Sequence, residues 1–261
     1  MKFGFDDLGG AASGSRTIRL NRFLALCGLG SRRQVEKFIL GGQVKINGQI
    51  VRTLAVQVDP QRDEVAVAGE LMMPVTLATY LMLNKPVGYV TTAQDEAGRK
   101  TIFDLVDSPL RVFPIGRLDR DSEGLLLLTN DGELAHRLMH PRYKVPKVYR
   151  VYLNKPLRPA AAKKFQDGIV IDGRYQVHGE LRFPRSGENR LCEVTIFEGR
   201  NRQVRKMFAA LGYRVKALQR TQVGPLMLGK LKPGAWRYLT ANEIHQLKKA
   251  VNLDTSKLSL V

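Results

Sequence analysis

Apolar positions recur along this chain with two different periods, and the period changes where turn residues fall. Ile18, Leu20, Phe23, Leu24 and Cys27 lie at near-helical spacing and predict a helix that Gly28 and Gly30 stop. Ser31 with Gln34 three residues later has the form of a capping box. The helix it opens carries an apolar stripe of Val35, Phe38 and Ile39 and ends at Gly41-Gly42. The spacing then drops to two. "VKINGQIV" reads as a hairpin with Asn47-Gly48 in a type I′ turn. Two short helices and a hairpin make a compact unit over residues 17–66. Residues 67–77, "AGELMMPVTLA", read as a linker punctuated by Pro74. Residues 1–16, with "GGAASGS", read as a disordered tail.

The pattern from residue 78 to 252 is different. "YLMLN" (80–84), "KPVG" (85–88) and "YVTT" (89–92) read as strand, turn and strand. "DEAGRKTIFDLV" is a loop followed by a short helix, "VFPIG" and "LLLLTN" are strands, and "DGELAHRLMH" is a helix opened by Asp131-Gly132. "KVYRVYLN" is a strand and "PAAAKKFQDG" a helix, with further strands at 191–197 and 213–218. Strands and helices mix without strict βαβ alternation. The expected class is α+β on a mixed, largely antiparallel sheet.

Composition narrows the partner. The chain has 261 residues, room for one large or two unequal domains. Lys and Arg number 42 against 24 Asp and Glu, a formal net charge of +18. Such an excess points to a polyanion, and nucleic acid fits it best. An anionic membrane surface is the rival, but there is no long basic amphipathic helix with a bulky apolar face. Cys27 and Cys192 stand far apart and read as free thiols of a reducing compartment. His136, His140, His178 and His245 form no metal-binding spacing, so no metal is expected. The start "MKFGF" lacks the apolar core of a signal peptide, and no apolar run approaches a membrane span. These features predict a cytoplasmic protein.

Candidate chemistry centres on "GRLDRDSEGLLLLTNDG", residues 116–132. Asp119 sits between Arg117 and Arg120, ahead of four leucines. A carboxylate there is costly unless something pairs with it or uses it. Three readings compete. "DRDSEG" begins like a calcium loop, but the twelfth position is Asn130 and Arg120 lies inside the cage. Asp119 could cap a turn or pair with Arg117. Or it could be catalytic, with the leucines walling a dry pocket. In "KVYRVYLN", alternation puts Lys147, Tyr149, Val151 and Leu153 on one face, so Tyr149 is either a core residue or a ring at a pocket rim. In "EGRNRQVRKMFAALGYRV", Val204, Met207, Phe208 and Leu211 bury a helix face. Arg205 falls at the edge of that stripe and wants a carboxylate, for which Asp119 is a candidate. Arg202 and Lys206 point away, as phosphate contacts or as a solvated face. Near the N-terminus, Arg32, Arg33 and Lys37 lie in the first turns of the second helix and Lys45 on the hairpin. A helix start offers N–H groups to phosphate, although an ordinary solvated face looks the same.

Residues 18 to about 66 resemble the small RNA-binding domain named after ribosomal protein S-four, through "RLNRFLA", "GLGSRR" and "GQVKING". Residues 78–240 resemble the bacterial ribosomal-RNA pseudouridine synthases of the small-subunit and large-subunit uridine type. The matching pieces are "LMLNKPVGYVTT", "GRLDRDSEGLLLLTNDGELAHRLMHP", "KVYRVYL", "EGRNRQVRKMFAALGYRVKALQR" and "GPLMLGKLKPGAWRYLT". The resemblance implies a catalytic domain over 78–252, with Asp119 the catalytic aspartate, Tyr149 the active-site tyrosine and Arg205 the basic residue that pairs with the aspartate. It implies RNA contacts at Arg32, Arg33, Lys37, Lys45, Arg117, Arg200, Arg202 and Lys206. It also implies ribosomal RNA, of the large subunit, or a ribosome-assembly intermediate as substrate, a monomer, and no cofactor or metal. A non-catalytic RNA-binding assembly factor on the same scaffold is the main rival reading. A DNA-binding protein is the second, and no helix-turn-helix recognition helix is evident.

Overall fold

A computed structural model describes residues 17–184, 187 and 189–254. The tail expected at 1–16 lies outside the described residues. The chain forms two compact units, one running to Ala78 and one beginning at Thr79.

In the first unit, helix Leu20–Leu26 and helix Arg32–Leu40 pack over a small sheet. Ser31 accepts from the Gln34 amide while the Gln34 side chain accepts from the Ser31 amide, so two orphan N–H groups are satisfied reciprocally. Ile18, expected in the helix, instead belongs to strand Ile18–Arg19, which pairs with Gln57–Val58. The hairpin Val44–Ile46 and Gln49–Val51 turns at Asn47 and Gly48, both with positive φ, as a type I′ turn requires. Residues 67–71 are not linker. Val65–Val67 turns through Ala68 and Gly69 into Glu70–Leu71, a second hairpin on the same sheet. An alanine with positive φ is uncommon, so this turn carries little signal in the sequence. Leu20, Phe23, Leu24, Val35, Ile39, Val44, Val58 and Val65 are buried together. Full burial of each larger side chain contributes roughly 1.5–3 kcal/mol.

The second unit is built on a nine-stranded sheet. Its order is Glu180–Arg182, Leu191–Ile196, Lys147–Leu153, Val215–Val223, Glu123–Thr129, Tyr80–Lys85 and Trp236–Tyr238. Phe113–Pro114 adds to Glu123–Thr129 and Leu226–Met227 to Val215–Val223. Among the described strands of this sheet, only Val215–Val223 and Glu123–Thr129 pair in parallel. The class is α+β on a mixed, largely antiparallel sheet.

The four leucines owe their run to burial on both faces. Leu126 and Leu128 join one core with Phe165, Val204, Met207 and Phe208 from helices Pro159–Asp167 and Gln203–Ala210. On the adjacent strand Tyr80 and Met82 turn to the opposite face. There Tyr80 donates to Asp131 at the start of helix Gly132–Met139. Arg237 reaches the Met82 sulfur while pairing with Glu243 of helix Ala241–Ala250. The leucines are therefore a central core strand and not the wall of a pocket.

Candidate active site

Residues 115–122 form the loop that delivers the chain into strand Glu123–Thr129, and its backbone is tied down at several points. The Leu118 amide donates to Thr91 Oγ1 at 3.2 Å, and that hydroxyl donates to the Leu118 carbonyl at 2.8 Å. The Gly88 amide donates to the Arg120 carbonyl at 2.8 Å. Lys85 Nζ donates to the carbonyls of Asp119 (3.1 Å), Ser122 (2.8 Å) and Pro86 (3.0 Å). Lys85 ends strand Tyr80–Lys85 and is 0 % exposed. Burial pushes its ammonium down to about 8, against the opposing charges of Asp119, Asp121 and Glu123. The carbonyls supply the hydrogen bonds that a buried ammonium needs.

With its backbone fixed, the loop presents Asp119 and Asp121 to an open cleft of about 860 Å³, lined also by Val87, Thr91, Gln94, Arg99, Arg117 and Arg202. The Asp119 side chain is 30 % exposed, so it stands at the cleft surface and not in a dry pocket. Arg202 Nη1 is 3.5 Å from Asp119 Oδ2. The same guanidinium binds Asp121 through both oxygens, at 3.1 and 3.2 Å. It lies between the two carboxylates, where a calcium ion would have to sit. That hydrogen bond to Asp121 raises the Arg202 pKa. At Asp121 burial acts upward, but the Arg202 hydrogen bond and the Arg205 and Arg202 charges outweigh it and hold the carboxyl below its usual value.

The expected pairing of Arg205 with Asp119 is not the one observed. Arg205 Nη2 donates to the Asp121 carbonyl at 2.7 Å and to Ser122 Oγ at 3.3 Å, and lies 3.3 Å from Asp121 Oδ2. Its Nη1 donates to the Val215 carbonyl. Burial lowers its pKa. The reason for the exchange is local. Helix Gln203–Ala210 begins one residue after Arg202, and Arg202 is a cap with φ of 52°. A left-handed cap breaks the helical phase on which the projection rested.

Tyr149 is buried in the core and does not line the cleft. It belongs to a row across the sheet. Tyr149 stands opposite Arg220, Arg220 beside Gly124, and Gly124 opposite Lys85. Gly124 has φ of 106°, and a Cβ there would collide with the Arg220 backbone. Arg220 is 3 % exposed and gives its Nε to the Leu125 carbonyl at 2.7 Å.

Comparison with known proteins now decides the family. The model of RNA pseudouridylate synthase matches residues 79–210, and that of the S4 domain matches residues 18–65. An uncharacterized RNA pseudouridine synthase of Aquifex aeolicus (strain VF5) is 46% identical over 239 residues, covering 90% of this chain and 96% of that one. Ribosomal large subunit pseudouridine synthase B of Bacillus subtilis (strain 168) is 39% identical over 234 residues, covering 88% and 95%. A crystal structure of pseudouridylate synthase superposes with a TM-score of 0.66 at 36% identity, covering 88% and 99%. The chain belongs to the RNA pseudouridine synthase family.

In this pseudouridine synthase, an isomerase, the expected RNA-contact residues divide into two groups. Arg33, Lys37, Lys45 and Arg117 are exposed. Arg32 is exposed and gives one N–H to Asn21. The rest are engaged. Arg200 pairs with Glu198 and stacks 4.0 Å over Tyr175, Lys206 pairs with Asp172 at 2.7 Å, and Arg202 is held by the carboxylates described above. Sequence reasoning missed Lys85 and Arg220. Lys85 had a signal: it continues the Leu81, Leu83 alternation and precedes a proline, which favours extended backbone. No helix among the described residues is long and apolar enough to cross a membrane.

Proposed function

We propose that the chain isomerises a uridine of ribosomal RNA to pseudouridine, with Asp119 as the reacting carboxylate. The unit from Thr79 carries the chemistry and the basic residues of the unit up to Ala78 hold the RNA. The observation that carries this reading is Asp119 itself. Its backbone is pinned by Lys85 and its side chain projects, next to Arg202, into a cleft large enough for an extruded nucleotide.

The reaction breaks the bond between ribose C1′ and uracil N1 and rejoins the sugar to C5. Nothing is oxidised and nothing is consumed, so side chains suffice and no cofactor or metal is required. A carboxylate can start it by adding to C1′, by adding to C6 of the ring, or by removing the 2′ hydrogen. Arg202, 3.5 Å away, holds the carboxylate beside the cleft. Extrusion of the base costs a few kcal/mol, and phosphate contacts made by a +18 chain offset that cost. The large subunit is the favoured source of the uridine, on the strength of the Bacillus subtilis relative's name.

The test is to map pseudouridines in RNA from a strain lacking the gene, by carbodiimide treatment and reverse-transcription stops. One ribosomal stop should vanish and return with the wild-type gene. An unchanged pattern of stops would leave a non-catalytic RNA-binding factor in place of the enzyme.

A further inference from the structure

Asp121 is a carboxylate of the cleft for which the proposed chemistry has no use, and two arginines hold it. Arg205 fixes it from behind: Nη2 donates to its carbonyl at 2.7 Å and lies 3.3 Å from its Oδ2, while Nη1 is anchored on the Val215 carbonyl. The Arg205 side chain is 13 % exposed, so this support is largely buried. In front, Asp121 takes both Nη atoms of Arg202 in a fork, at 3.1 and 3.2 Å. Arg202 Nη1 then reaches Asp119 Oδ2 only at 3.5 Å, beyond the roughly 2.7–2.9 Å of a charge-assisted hydrogen bond. Among the described residues, Asp119 and Asp121 are the carboxylates that pair with Arg202. The Arg202 and Arg205 charges oppose one another, and Asp121 bonds both. Four side chains thus alternate in sign, Asp119, Arg202, Asp121 and Arg205, with the tighter contacts at Asp121.

We propose that Asp121 is a positioning residue for pseudouridine formation: by holding the Arg202 guanidinium on itself, it leaves the Asp119 oxygens open to react. The inference rests on Asp119 as the reacting carboxylate. On each route to pseudouridine, a lone pair of an Asp119 Oδ forms the new bond, to C1′, to C6 or to the 2′ hydrogen. A fork of N–H bonds from an arginine would occupy those lone pairs and would have to break before the new bond forms. At 3.5 Å the guanidinium lends Asp119 its charge and leaves the oxygens uncovered. Without the Asp121 charge, repulsion from Arg205 persists and Asp119 is the carboxylate left for Arg202 to grip. The Arg202 side chain is 43 % exposed, so the fork to Asp121, and not packing, holds it in place.

The test measures single-turnover rates at saturating enzyme on an RNA carrying the mapped uridine, with RNA affinity and urea unfolding read on the same preparations. Asp121→Asn should slow pseudouridine formation about 100-fold without loss of RNA affinity. Arg202→Gln loses the charge but leaves the oxygens open, and should slow it about tenfold. The double variant Asp121→Asn, Arg202→Gln should match Arg202→Gln and run about tenfold faster than Asp121→Asn, because Asp121 acts only through Arg202. A residue that merely stiffened the loop would instead multiply the two losses to about 1000-fold. An Asp121→Asn variant within about threefold of wild type, or a double variant as slow as Asp121→Asn or slower, overturns the proposal. If Asp121→Asn does not fold, Asp121→Ser replaces it in the same comparisons. Asp119→Asn is run beside them. Turnover by that variant refutes the Asp119 reading, whereas a silent Asp119→Asn with an unimpaired Asp121→Asn refutes the role of Asp121 alone.

Discussion

Arginine and lysine are put to two uses in the two units of this chain. In the first unit Arg33, Lys37 and Lys45 stand in solvent, free to follow a phosphate backbone. In the second, Arg202, Arg205, Lys85 and Arg220 are committed to carboxylates, carbonyls and a phenol. Mobile surface charge supplies affinity that salt screens. Fixed, desolvated charge supplies geometry and an electric field, and salt reaches it poorly. The comparison teaches that a net charge of +18 is not one property: part of it stands open to a polyanion and part of it is spent on fixed internal bonds.

The largest effect that would sharpen this contrast is at Gly124. A Cβ at φ of 106° collides with the Arg220 backbone, so Gly124→Ala should cost more than about 4 kcal/mol in denaturant unfolding. A loss below about 1 kcal/mol would break the claim that the two strands meet this closely. Next is Lys85→Met, which removes the donor to the Asp119 and Ser122 carbonyls. The loosened loop should lower kcat about 100-fold with little change in RNA affinity. A fall in affinity with kcat intact would move Lys85 into the first class of cation.

The third effect is on pH dependence. Native Lys85 is pushed down to about 8 while the unfolded chain keeps the ordinary value near 10.5. Between those values the unfolded state holds a proton that the native state has lost. Stability therefore rises with pH from about 8 to 10.5, by at most about 3 kcal/mol for this group, and falls back as pH drops through 8. Urea unfolding across this range should show the rise in wild type and a flatter curve in Lys85→Met. The smallest effect belongs to the first unit. The Arg33→Ala, Lys37→Ala pair should reduce the salt slope of RNA binding by about 1.4 on a single strand, with kcat at saturation unchanged. A change in kcat would show that these residues shape the site as well.

Local features were legible in the sequence wherever one side chain settles one backbone problem. Ser31 with Gln34 marked a helix start, Asn47-Gly48 a turn, and the leucine run a strand, though its burial on both faces was taken for the wall of a pocket. The position of Asp119 in a loop before that strand was equally readable. Features that depend on distant pairing were not. Strand Val215–Val223 continues through the polar run "QRTQV", which hid Arg220, and its parallel pairing with Glu123–Thr129 joins residues about a hundred positions apart. Lys85 read as a turn residue because a charged side chain is not expected at full burial. The partner of Asp119 was misassigned because the helix began at Gln203, one residue too late for the assumed phase to include Arg202.

The central claim is that the Asp119 carboxylate reacts. Single-turnover pseudouridine formation on the mapped RNA, with binding measured on the same preparation, tests it. Asp119→Asn should bind with wild-type affinity and form pseudouridine at least about 10³-fold more slowly. A rate within tenfold of wild type would contradict the account and leave a positively charged RNA-binding cleft with another residue at its chemistry.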